Sequence, residues 1–241
     1  PLIIDGSNGV VIDGGGRGTV FVMDAGDSQL RDIRLTNSGG SHDTDDACLN
    51  VRRHRNVIER VVIDNCLFGI DLKQSDDNIV RENRISSKPN ELGTRGDGLR
   101  LWYSNRNRIE ENQIIDSRDM VAWYANHNTY RGNIGKRSRY SIHFMFAARN
   151  LVEANRFYDN AVGVYVMYSG GGAIRNNVFS HATGATGMVG RSCLELLLQD
   201  SRYATVHAIT RSPLASDENP GAGGTINIIT KRNFGPTGGG I

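Results

Sequence analysis

Between residues 143 and 167 the chain sets out side chains that could hold a soft metal ion. His143 and Met145 lie two apart in Tyr140-Ser-Ile-His-Phe-Met-Phe146, where apolar residues recur at every second position, so in a strand they share a face. Met167 follows Met145, and Tyr165 follows His143, at 22 residues. If that interval is one turn of a repeat, two thioethers and an imidazole converge on one outer surface. Thioethers are poor ligands for zinc or calcium and suit Cu(I), which a transient carrier can hold with two or three ligands. The competing reading is that Met145 and Met167 pack beneath a cover, the commoner use of methionine. The sequence offers no nucleophile–base–orienter set and no Cys/His spacing for zinc.

The repeat that must position these residues is written four times between Gly98 and Tyr168. Leu101-Trp-Tyr103, Ala122-Trp-Tyr124, Phe144-Met-Phe146 and Val166-Met-Tyr168 fall in register, each followed by an asparagine-bounded phrase except the last. The second asparagines, Asn112, Asn133 and Asn155, are spaced by 21 and 22 residues, and Asn177 follows at 22 again. Self-similarity at such a period marks a repeat architecture. Period-two alternation broken by Gly, Asn and Asp makes each unit a set of short strands and turns. The fold expected is all-β, a right-handed parallel β-helix of about seven coils with about 22 residues each, over residues 1–190.

Alternation divides the side chains. Leu99 and Leu101, Met120 and Ala122, Ile142 and Phe144, and Val164 and Val166 form the interior set. The outer set then contains Trp102, Trp123, Met145 and Met167 as one continuous stripe, with Tyr165 beside His143. A contiguous apolar patch usually marks a binding surface, and Trp102, Trp123 and Tyr165 are the candidate docking residues.

Upstream, the repeat is spelled less regularly. Ser38–Asp46 and Ser86–Gly93 read as loop insertions. The first holds His42, Asp43, Asp45 and Asp46, read as a solvated loop on which nothing else in the repeats converges. Asn83, Asn112, Asn133, Asn155 and Asn177 are scaffold, taking left-handed turn conformations and bonding from coil to coil. Asp97, Arg100, Arg118, Asp119 and Arg139 read as cross-coil ion pairs. Cys48 and Cys66 do not occupy equivalent coil positions, so no ladder disulfide is expected between them. A net charge of +2 with 22% charged residues gives no basic field for nucleic acid, and no apolar run reaches the roughly 18 residues of a membrane span.

Gly96-Asp-Gly-Leu-Arg-Leu-Trp-Tyr-Ser-Asn105, Asp116-Ser-Arg-Asp-Met120, Arg139-Tyr-Ser-Ile-His-Phe-Met-Phe146 and Asn160-Ala-Val-Gly-Val-Tyr-Val-Met-Tyr-Ser169 resemble the NosD family over about residues 1–188. These are periplasmic maturation proteins for nitrous oxide reductase, built on the CASH type of β-helix. The resemblance implies a non-enzymatic protein that handles copper, with an ABC transporter, a copper chaperone lipoprotein and the reductase as partners. The competing functions are a β-helix enzyme acting on uronic-acid polymers and a non-catalytic carbohydrate- or protein-binding scaffold.

Beyond Met188 the sequence changes character, and residues 191–241 read as a short α/β appendage. Arg191–Gln199 is spaced as an amphipathic helix able to cap the solenoid, with strand-like Tyr203–Thr210 after it. Gly184-Ala-Thr-Gly-Met-Val-Gly190 resembles the opening of a Rossmann NAD(P)-binding unit, but no acidic ribose-binding residue follows, so no NAD(P) is expected. Gly223–Arg232 resembles a plug-domain phrase of TonB-dependent receptors, which gives the chain a chimeric look.

Overall fold

The structure, a computed structural model, describes residues 1–180; the helix, strand and glycine motif expected after Met188 lie outside these residues. Every strand is short and every pairing is parallel, because each coil contributes one strand to each of three sheets. Two sheets carry eight strands and the third carries seven, so the described coils number about eight. The first sheet runs from Ile3–Asp5 to Ala173–Arg175, the second from Val11–Asp13 to Val178–Ser180, and the third from Phe21–Met23 to Val162–Met167.

Register follows the interior residues. In the first sheet Leu30, Ile58, Val80, Ile109, Tyr130 and Val152 stand in one column, all fully buried. In the second, Gly135 stands between Ile114 and Phe157. A Cβ there would lie 2.9 Å from the Phe157 ring, so the missing side chain makes room for a large one in the next coil. The third sheet buries Leu99, Leu101, Met120, Ala122, Ile142 and Phe144, as alternation requires.

The asparagines bond from coil to coil, though their conformation differs from expectation. Asn112 donates its backbone N–H to Asn133 Oδ1 at 3.0 Å, Asn133 to Asn155 at 2.8 Å, and Asn155 to Asn177 at 2.9 Å. Left-handed backbone falls instead on the residue before each one: Glu82, Glu111, Gly132, Ala154 and Asn176 all have positive φ. The asparagine itself is buried, where its amide caps backbone groups that the corner would leave unpaired. A second ladder runs through Asn56, Asn78, Asn107, Asn128 and Asn150.

Cys48 and Cys66 are joined in a disulfide, with Cα atoms 5.6 Å apart, a pairing that the sequence reading, which weighed only a ladder bond, did not foresee. They are not ladder neighbours: Cys48 lies on the third sheet and Cys66 ends a strand of the second. Their 18-residue separation nearly completes one coil, which brings the chain back to the corner where those sheets meet. The bond closes a coil rather than joining two.

Candidate metal centre

The outer face of the third sheet carries every predicted site residue. Trp102 pairs with Trp123, Trp123 with Met145, and Met145 with Met167, while His143 pairs with Tyr165. Adjacent strands stand about 4.8 Å apart, so the stripe is continuous. Trp102, Trp123, Tyr165, Met145 and Met167 are partly exposed, whereas His143 is only 8% exposed.

The local backbone explains that burial. Asp119 pairs with Tyr140 but Val121 pairs with His143, so the later strand carries one extra residue. Residues three apart on a regular strand face opposite ways; the bulge turns Tyr140 and His143 to the same side, and bulges often re-aim side chains at sites. It also accounts for the change of period from 21 to 22. The Tyr140 and Tyr165 rings stack at 4.8 Å, with centroids 5.0 and 5.3 Å from that of His143.

His143 Nδ1 lies 3.8 Å from Asp119 Oδ2. Asp119 is itself held by Arg139 and accepts the Tyr140 N–H at 3.0 Å. Burial opposes ionisation of Asp119, but the neighbouring His143 ring and the Arg139 guanidinium outweigh it and hold the carboxyl below its ordinary range. A carboxylate beside Nδ1 favours the tautomer protonated there and leaves Nε2 as the lone-pair nitrogen. Nε2 is buried and has no hydrogen-bond partner. The same two strands carry Met145 and Met167 as paired neighbours two residues further on. Among the described residues no three His, Cys, Asp or Glu side chains are grouped to hold a metal ion.

Sequence reasoning missed a second column. Tyr103, Tyr124, Phe146 and Tyr168 stack in order at 4.7, 5.1 and 4.9 Å along the adjoining corner. All four have positive φ, uncommon for bulky residues, and their mutual stacking supports that backbone. Their equivalence was visible in the four aligned phrases; the left-handed corner was not.

The acidic loop is tied down more firmly than expected. Asp45 binds Lys73 at 3.2 Å and Arg100 at 2.9 Å, and Arg100 also binds the fully buried Asp71. Side chains of the repeats therefore do converge on the loop. Of the residues expected to form cross-coil ion pairs, Asp97 binds Arg118 and Asp119 binds Arg139.

The family described as periplasmic copper-binding protein (NosD) matches residues 88–212, just over half of the chain. That match extends past Met188, where the sequence reading placed the end of the resemblance. The right handed beta helix region matches residues 20–135. No curated protein matches the chain.

Proposed function

Because the chain belongs to the NosD family of periplasmic copper-binding proteins, we propose that it carries Cu(I) on the outer face of its third sheet. His143, Met145 and Met167 hold the ion as cargo. Trp102, Trp123 and Tyr165 form the surface against which a donor or acceptor protein docks. The observation that carries this reading is the buried, unpartnered His143 Nε2 in the ladder that aligns Met145 with Met167. Two thioethers favour a soft monovalent ion, and Asp119, beside Nδ1, orients the imidazole as a carboxylate behind a metal-bound histidine does.

The Cys48–Cys66 disulfide fits an oxidising compartment such as the periplasm. No helix among the described residues is long and apolar enough to cross a membrane. The role is non-enzymatic transfer during maturation of nitrous oxide reductase, with an ABC transporter, a copper chaperone lipoprotein and the reductase as partners. Replacing His143, Met145 and Met167 together with Leu tests the site. Cu(I) binding should be lost in a competition titration while the far-UV dichroism stays that of a β-protein. Unchanged Cu(I) affinity in that variant would remove the site.

A further inference from the structure

We infer that Tyr140 and Tyr165 shield His143, so that an incoming ion meets the thioethers first and gains the imidazole only after the rings part. The inference rests on the copper reading above and adds an order of loading and a source of selectivity. His143 is 8% exposed and its Nε2 is buried without a partner, whereas Met145 and Met167 in the same two strands are partly exposed. The covering rings stack on each other at 4.8 Å and both contact the imidazole. Tyr140 reaches this position only because of the bulge between Tyr140 and His143, opposite Asp119 and Val121.

The shield has a chemical consequence. A hydrated divalent ion prefers nitrogen and oxygen ligands and gains little from a thioether, so the first groups it meets do not hold it. The one nitrogen it could use is covered. A soft ion caught by Met145 and Met167 is held beside the rings long enough for Tyr165 to move, and His143 then completes the site. Tyr140 and Tyr165 are therefore specificity-determining residues that need not touch the metal.

Carbethoxylation of histidines by diethyl pyrocarbonate, mapped by peptide mass on the full chain, tests the shield without copper. His42, His54 and His127 are exposed and serve as internal standards. Ring opening should limit the reaction at His143, making it at least about tenfold slower than at His127 in the native protein. Tyr165→Ala should bring the two rates within about threefold, while Tyr165→Phe, which keeps the ring, should leave His143 protected. If Tyr165→Ala does not fold, Tyr165→Val removes the ring and keeps a good strand residue. Equal rates in the native protein, or no change when the ring is removed from a folded variant, would overturn the shield.

Loading order is read by stopped flow, with Cu(I) supplied from a coloured bicinchoninate complex. The native chain should take up copper in a fast phase and a slower, concentration-independent one. His143→Leu should keep only the first, and Tyr165→Ala should merge them. A single phase in the native protein overturns the order while leaving the copper site standing. No uptake at all removes the copper reading and the order with it, whatever carbethoxylation shows.

Discussion

The outer face of the third sheet has two halves built on the same backbone ladder. In the earlier coils, Asn50 donates to Asp71 at 2.9 Å, Arg52 donates to Asn50 at 2.7 Å, and Arg100 spans Asp71 and Asp45 while lying over the Phe68 ring. This half is closed, with its charges matched by one another. From Trp102 onward the same face holds Trp102, Trp123, Met145, Met167, His143 and Tyr165, and two of its polar atoms, Trp123 Nε1 and His143 Nε2, are buried without partners. Among the described residues, the buried side-chain nitrogens and oxygens without a hydrogen bond belong to Trp123, Tyr130 and His143, all in two consecutive coils. A solenoid tolerates this division because each coil contacts only its neighbours. Stability can be concentrated in one stretch and unspent bonding capacity in another.

Substitutions should separate the halves. Arg100→Met strands the buried Asp71 carboxylate, and breaking a buried pair from one side costs about 3–5 kcal/mol. Urea denaturation should show that loss while Cu(I) affinity stays unchanged. If copper binding falls with it, the halves are one unit and the comparison fails. Replacing Cys48 and Cys66 with Ala should cost about 3 kcal/mol, the usual scale for closing a loop of this length. The loss should disappear when native and variant proteins are compared in reductant, and copper binding should again be spared.

The pH dependence sharpens the boundary at Asp119. Its carboxyl has a lower pKa in the fold than in the unfolded chain. The stability it contributes is therefore present above the unfolded value near 4 and lost as pH falls through the lower folded value. Asp119→Asn should flatten the acid limb of a stability–pH curve and also weaken Cu(I) binding, since His143 loses its orienting partner. An unchanged acid limb would mean that Arg139 and Asp119 contribute nothing to the fold.

The scaffold was legible because period and alternation are direct consequences of strand geometry. Leu99, Leu101, Ile142 and Phe144 could be assigned inward, and Trp123, Met145 and Met167 aligned in one stripe, from spacing alone. What escaped is tertiary. The Cys48–Cys66 bond joins two sheets across a corner, and no ladder argument reaches a pair within one coil. Left-handed backbone was given to the asparagines because Asn adopts it readily, whereas the corner needs their amides and passes that conformation to the preceding residue. The shield over His143 depends on a bulge that the sequence showed only as a one-residue change of period. Arg100 and Lys73 reach Asp45 from later coils, a meeting that depends on how the loop folds back.

The three orphan atoms do not all serve the same end, and the smallest predicted effect tells them apart. Tyr130 lies in the first sheet with its ring against Phe144, at 5.6 Å between centroids, so its hydroxyl faces the apolar interior. Burial pushes its pKa far up, and the hydroxyl has no hydrogen-bond partner. Removing a buried hydroxyl that bonds to nothing should stabilise, because its desolvation is no longer paid at folding; Tyr130→Phe should gain about 1 kcal/mol. Copper binding should not change. His143→Leu also removes a buried unpartnered atom but takes the imidazole from beside Asp119, so the two effects on stability oppose each other and the net change should be small; it should abolish the imidazole contribution to Cu(I) affinity. A stability change without a binding loss is the mark of scaffold, and a binding loss that exceeds any stability change is the mark of a site kept open. If Tyr130→Phe weakens copper binding instead, the interior hydroxyl belongs to the site, and the later coils form one polar system running from the core to the face.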